Sequence, residues 1–469
     1  MTIWKPELEA IEGPIYKAIA DSIQAAVNSG KLKAEEKLPT HRSLADHLQV
    51  TTGTITRAYA EAERRGLVYA VIGRGTFVRG NESTDNFSAA NDMRFLESTE
   101  SGLIDLHINM PLKQDRASML TDAMTRMAAE PAYLNQLLDY QPDIGVLYHR
   151  QVICDWIANE YWCPAPEQLV ITNGGQHAIL ISLMTLTRPG DTVLAEALSY
   201  PGFTAITRQL NLQVRAVAMD EQGITGEALE AACKQNAPRV LFCTPTIQNP
   251  TTATMSLERR KTILEICARY QVMVIEDEVS VALATECPPP LAALDSERVV
   301  HVGSFSKTIA AGVRVGYCVA PQSLQMRLGA AVRASCWMVS PVMVAVVCEW
   351  LKNGSAKQLL EAQRREIVIR TRMALDKLKD FQIASVDGGL HIWLNLPEPW
   401  HADEFVEAAR KKGVLILGAT TFSISRTHTY HAVRISLSAV ANQQKMEEGI
   451  DILVTLLKEE LPEQEFTVF

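Results

Sequence analysis

The sequence predicts a three-helix head with a β-hairpin, then an α/β body on a mostly parallel sheet, closed by a smaller α+β domain. Three observations carry this reading: helix-period stripes over the first 64 residues, a Gly-tipped pair of β-rich runs after them, and short apolar strands alternating with helices from residue 101. At 469 residues the chain is too long for one ordinary core. Charged residues make up 21% and hydrophobic residues 47%, the balance of a globular protein. No apolar run of about 18 residues occurs, so no membrane span is expected. The start, MTIWKPELEA, lacks the apolar stretch of a secretory signal. Nine cysteines, an odd number with no CxxC pair, argue against a disulfide framework and against a zinc site. A reduced, cytoplasmic protein without a metal is the expectation.

Each element follows in order. Ile15, Ile19, Ile23 and Val27 form one stripe of a helix that stops at Gly30. Pro39 precedes a second short helix with Thr40 as N-cap and Leu44 and Leu48 facing inward. Thr51 or Thr52 caps a third, whose inner face is Ile55, Tyr59 and Ala62. Leu67–Ile72 and Thr76–Arg79, separated by Gly73-Arg74-Gly75, read as a hairpin. The head spans 1–80, and the polar, aperiodic stretch 81–100 reads as a linker. The body divides into 101–350, with strands in DTVLAEA, RVLFCTP, QVMVIED, RVVHVGS and VRVGYCV, and 351–469, with GGLHIWLNLP and HAVRISLS.

Charge separates the two parts. Residues 1–80 hold 11 Lys+Arg against 9 Asp+Glu, so +2 of the overall −9 lies in the head and −11 in the rest. Nucleic-acid contact should therefore be confined to the head. Three helices and a Gly-tipped hairpin make the winged helix-turn-helix layout, whose third helix enters the major groove. Its outer face offers Thr51, Thr52, Thr54 and Arg57 for phosphates or base edges, and Arg74 at the hairpin tip suits a phosphate or a narrow minor groove. A three-helix interaction module with solvated arginines is the alternative.

In the body, Ser304-Phe305-Ser306-Lys307 follows the strand VVHVG and precedes Arg314 by seven residues. A lysine there can form a Schiff base with an aldehyde when its pKa is lowered. Two serines and a guanidinium nearby can hold a phosphate. Asp277 ends the strand QVMVI, where a carboxylate can keep a pyridine nitrogen protonated, though a metal ligand or a helix cap would also sit there. Thr172-Asn173-Gly174-Gly175-Gln176 precedes a helix whose first amides can face a phosphate. Tyr200-Pro201-Gly202 could lay an aromatic face over a planar ring or be only a turn. Asn249-Pro250-Thr251 and Arg434 complete the set.

With these motifs in hand, two resemblances are plain. The segment KLPTHRSLADHLQVTTGTITRAYAEAERRGLVYAVIGRGTFV resembles the GntR-type N-terminal domain, which adds Arg42 to the DNA contacts. Residues 101–460 resemble a fold-type I pyridoxal phosphate (PLP) enzyme of aminotransferase class I/II. The resemblance implies that Lys307 forms an aldimine with PLP, Asp277 pairs the pyridinium, Asn249 contacts the ring oxygen and Tyr200 stacks on the ring. It further implies that Gly175, Gln176, Ser304, Ser306 and Arg314 bind the phosphate and that Arg434 takes a substrate carboxylate. Tyr140, in YQPDIG, resembles the tyrosine that reaches the neighbouring subunit's phosphate, which implies a homodimer. A GntR head fused to such a body is similar to the MocR group of transcription regulators.

The match departs in places. The tyrosine expected two or three residues after the aspartate is Val279 or Ser280, NPTG reads Asn249-Pro250-Thr251-Thr252, and the P-G before Arg314 is Ala311-Gly312. A glycine usual in the early substrate segment is absent from His107-Ile108-Asn109-Met110-Pro111. The reading is a regulator that binds double-stranded operator DNA and senses PLP or a small amino compound, with weak transamination at most. The competing reading is a working aminotransferase with an appended head.

Overall fold

The computed structural model describes residues 4, 6, 15–28, 31–33, 36–64, 67–71, 75–78, 102–425 and 430–459. They form two compact units, the head up to Val78 and the body from Gly102.

The head has helices α1 (Ile15–Asn28), α2 (His41–Leu48) and α3 (Thr52–Arg64), then the antiparallel strands β1 (Val68–Val71) and β2 (Gly75–Val78). Thr40 caps α2 by accepting from the Ser43 amide at 3.3 Å, and Thr51 caps α3 by accepting from the Thr54 amide at 3.2 Å. Ile19, Ile23, Leu44, Ile55, Tyr59, Ala62 and Val78 share one core. Ile15 is exposed, so the buried stripe starts at Ile19. Residues 36–38 run beside β2, with Leu38 N donating to Thr76 O and Val78 N to Glu36 O. The hairpin tip with Arg74 and the linker 81–100 lie outside the described residues.

In the body, β3 (Ile104–Asp105) comes first, followed by β4 (Leu169–Thr172), β5 (Thr192–Glu196) and β6 (Gln213–Val217). A small hairpin, β7 (Met219–Asp220) and β8 (Gly223–Ile224), leads to β9 (Val240–Cys243), β10 (Met273–Asp277), β11 (Val299–Ser304) and β12 (Gly316–Val319). Seven of these strands make one sheet in the order β4-β12-β11-β10-β9-β5-β6. Every pairing is parallel except those of β12, which is antiparallel to β11 and β4. β4, β9, β11 and β12 are buried along their whole length and β10 beyond its first residue, as expected for a sheet covered by helices on both faces. VRVGYCV yields a shorter strand than its pattern predicts, because Val313 closes a 3-10 turn and Arg314 is left-handed at φ 50.

The C-terminal part adds β13 (Ile383–Ala384), β14 (His391–Asn395), β15 (Val414–Leu415), β16 (Leu417–Gly418) and β17 (Ala432–Ser436). An antiparallel sheet in the order β13-β14-β17-β16 packs on the helices Ser355–Lys377 and Gln443–Lys458. Here the boundary expected at 101 shifts in meaning. β3 pairs with β15, and Leu106 and Leu112 sit in the C-terminal core rather than the large-domain core. The chain's first body segment thus belongs by packing to the small domain, because its strand and its apolar side chains find most of their partners in the C-terminal part of the chain.

Candidate functional site

The carboxyl ends of the parallel strands gather the body's chemistry, the usual place for a ligand in such a sheet. β10 ends at Asp277, which is 5% exposed and whose Oδ1 accepts from the Val279 amide at 3.3 Å. Burial pushes its carboxyl up to about 6, against the pull of the Val279 amide, Lys307 and His301. β11 ends at Ser304, whose Oγ accepts from Ser306 N at 3.1 Å and tightens the turn that presents Lys307. The Lys307 amine donates to the Asn109 carbonyl at 2.5 Å. Burial lowers this amine to about 8, helped by Arg434 and Arg314 and opposed by Asp277. A lysine so shifted is a competent nucleophile near neutral pH.

Beside it lie groups that could cradle an anion. β4 runs through Asn173 and Gly174 into the helix Gly175–Leu186, whose first amides have no partner within the helix. Gly174 has φ 82, and a Cβ there would stand 2.7 Å from Arg314 Nη2. A Cβ on Gly175 would stand 2.7 Å from Val279 Cγ1. Only glycines leave this floor open. Arg314 spans it, donating from Nη1 to Ser306 Oγ and from Nη2 to Asn173 O, each at 3.3 Å. Gln176 donates to Gly202 O at 3.0 Å, and its buried Oε1 has no partner among the described residues.

The opposite wall comes from the small domain. Arg434 on β17 is buried, donates from Nη1 to Asn249 Oδ1 at 2.7 Å and from Nη2 to His107 O, and lies over the Phe422 ring at 4.9 Å. Burial lowers its guanidinium to about 10, while Tyr200 and Asp105 favour the charge. Burial raises the Tyr200 hydroxyl to about 12, which keeps it neutral. Arg434 Nε and Asn109 Oδ1 are further buried atoms without a partner among the described residues. Lys307, Asp277, Asn249, Tyr200, Gly175, Gln176, Ser304, Ser306, Arg314 and Arg434 are thereby brought near one another at the strand ends. Tyr140 is not among them. It is 83% exposed, beside the likewise exposed Trp337 at a ring distance of 6.0 Å.

Several contributors escaped the sequence. His391 lies far along the chain from Asn109, Phe422 lies under Arg434, and no motif marks either. His107 and Asn109 entered only as part of the segment that lacks a glycine. Position 252 carries a readable signal, because Thr252 occupies the left-handed region at φ 66 where the motif has glycine.

On the head, Arg42, Thr52 and Arg57 are exposed, and no carboxylate pairs with either arginine among the described residues. Thr51 is partly spent: its hydroxyl caps α3 and lies 2.9 Å from Thr54 Oγ1, which is only half-exposed. The face is thus narrower than four free residues. His41 links α2 to α3, with Nδ1 3.3 Å from Thr56 Oγ1 and its ring edge-on to Tyr59.

A buried lysine one strand from a buried acid, beside Gly174, Ser306 and Arg314 on this sheet, is the arrangement of a fold-type I aminotransferase fold. The donor set fits a phosphorylated pyridine aldehyde: an amine, an acid to face a ring nitrogen, and a cradle that a single Cβ would fill. The chain belongs to the aminotransferase class I and II family, which matches residues 101–453, and residues 15–78 match the family described as bacterial regulatory proteins, gntR family. This is the MocR-type fusion. The chain is 29% identical to the uncharacterized HTH-type transcriptional regulator YdeF of Bacillus subtilis, over 97% of this chain and 96% of that one. It is 26% identical to the vitamin B6 salvage pathway transcriptional repressor PtsJ of Salmonella typhimurium, over 92% and 96%. Its fold is similar to the kynurenine aminotransferase of Pyrococcus horikoshii solved with PMP, at TM-score 0.73 and 25% identity, over 80% of this chain and 95% of that one. The relatives YdeF and PtsJ are named as transcription regulators, and other relatives at similar identity are named as aminotransferases. Among the described residues no helix is long and apolar enough to cross a membrane, and no group of three or more His, Cys, Asp or Glu could hold a metal.

Proposed function

We propose that this chain is a cytoplasmic transcription regulator that binds operator DNA through its head and holds PLP on Lys307 in its body. A small amino compound with a carboxylate is its effector. The observation that carries the reading is the union, in one chain, of an exposed arginine-bearing recognition helix with an intact lysine, acid and phosphate-cradle constellation. Bound there, the cofactor supplies an electrophilic carbon that exchanges amines. The chain's residues do the rest: Arg314, Ser306 and the amides after Gly174 hold the phosphate, Asp277 holds a proton on the ring nitrogen, and Tyr200 covers the ring. Asn249 has its Nδ2 left for the ring oxygen, since its Oδ1 accepts from Arg434. Neither Val279 nor Ser280 adds a phenol there, which favours sensing over turnover.

A homodimer fits the exposed apolar side chains Leu138, Tyr140, Leu147, Tyr148 and Trp337, and in it Tyr140 would reach the partner's phosphate. An effector changes DNA binding only by its differential affinity for two arrangements of the protein. The test is a gel shift at fixed salt with and without amino compounds, on wild type and Lys307→Ala. A ligand response lost in Lys307→Ala supports the reading. Fast, sustained transamination together with ligand-indifferent DNA binding would return the chain to the metabolic enzymes.

A further inference from the structure

In the segment between β3 and Pro111, Asn109 meets the Lys307 amine with its backbone, and only one end of its side chain has a partner among the described residues. Asn109 O accepts from Lys307 Nζ at 2.5 Å, while Asn109 Nδ2 lies 2.8 Å from His391 Nδ1. His391 is buried, and burial followed by the charge of Arg434 lowers its ring to about 3. It is therefore neutral, with one donor and one acceptor nitrogen. The backbone at Pro250 and Gln248 favours its N–H, although Nε2 closes no hydrogen bond of good geometry. With the proton on Nε2, Nδ1 is the acceptor, and the Asn109 amide spends its NH2 end on it. The oxygen end is left over. Asn109 Oδ1 is buried without a partner among the described residues, a condition that native proteins resolve with a water, an ion or a ligand.

Its location selects among these. The same residue's carbonyl marks where the Lys307 amine rests, so the nitrogen of an incoming amino compound must approach within one residue's reach of Oδ1. Arg434 fixes the other end of the cleft, with Nη2 on His107 O, two residues before Asn109. Asn109 thus sits in the stretch that touches both groups, within reach of a ligand held between them. We propose that Asn109 is a specificity-determining residue that selects amino acids whose side chain bears a hydrogen-bond donor: a hydroxyl, an amide or a second ammonium. The inference rests on the reading of an amino compound with a carboxylate as effector.

The experiment uses full-length, cofactor-loaded protein and size-matched pairs, serine with alanine and 2,4-diaminobutyrate with norvaline, followed by the change in cofactor absorption. Wild type should prefer the donor-bearing member of each pair. Asn109→Ala should weaken that member on the order of tenfold and move the other by less than about threefold. Asn109→Asp keeps an acceptor and should restore the preference, most strongly for the diamine. Equal losses for both members, or no loss for either, would overturn the assignment and leave Asn109 a packing residue or the site of a bound water. If no amino compound changes the wild-type absorption, the effector reading itself fails, and that result is visible before any variant is made.

Discussion

Raising the pH from about 6 to about 10 should accelerate capture of PLP by the cofactor-free protein along a titration curve centred near the Lys307 amine. That amine lies at about 8 rather than 10.5. At pH 7 about a tenth of such amines are unprotonated, against about three in ten thousand for an ordinary lysine, a gain of roughly 300-fold in reactive fraction. Burial lowers the amine most, Arg434 and Arg314 lower it further, and Asp277 works the other way. Two substitutions should therefore move the curve in opposite directions: Arg434→Met toward higher pH and Asp277→Asn toward lower pH. The growth of visible absorbance after rapid mixing gives the rate, and borohydride reduction with peptide mapping locates the label. A rate still climbing as steeply above pH 10, both variants shifting the same way, or a label on another lysine would refute the argument. The stability of the cofactor-free protein carries the same signature. Between about 8 and 10.5 the unfolded chain holds a proton that the folded one has released, so this group's contribution makes stability rise with pH across that window.

Four further outcomes are expected. Gly174→Ala puts a methyl 2.7 Å from Arg314 Nη2 at a positive φ, so PLP affinity measured by absorption titration should fall at least about tenfold; unchanged affinity would remove the cradle from the phosphate site. Arg260 and Glu278 are fully buried with Nη1 3.6 Å from Oε1, so Arg260→Ala should cost about 3–5 kcal/mol in denaturant unfolding, and a loss below about 1 kcal/mol would contradict that. Arg42→Ala or Arg57→Ala should weaken DNA binding without altering the cofactor spectrum, and inserting half a helical turn between half-sites should weaken it too, since both heads of a dimer need one face of the duplex; spacing-independent binding would rule out the two-headed mode. Net transamination should stay well below the enzyme median of about 10 per second, because no phenol follows Asp277, and a rate at that median would favour the enzyme.

Much of this was legible in local pattern. The three head helices, the Thr40 cap, a cap at Thr51 or Thr52 and the hairpin follow from apolar period and capping chemistry, which act within a few residues. The apolar runs ending at Asp277 and Ser304 follow from the continuous hydrophobicity a covered parallel strand requires. Lys307, Asp277 and Arg314 could be singled out because they stand at strand ends and turns, where side chains are free to do chemistry. Other features needed the chain to fold. No local rule places Asn109 on Lys307, 198 residues away, or Asn249 on Arg434, 185 residues away. Nor does any local rule send Leu106 and Leu112 to the C-terminal core or leave Asn109 Oδ1 and Arg434 Nε without a partner among the described residues. Local sequence determines which segments become helix or strand and which residues sit at their ends, because those preferences arise from neighbours within a turn or two. The fall of the lysine's pKa and the unsatisfied acceptor on Asn109 were decided only by tertiary packing, because burial and opposing charge come from residues that only the fold brings together.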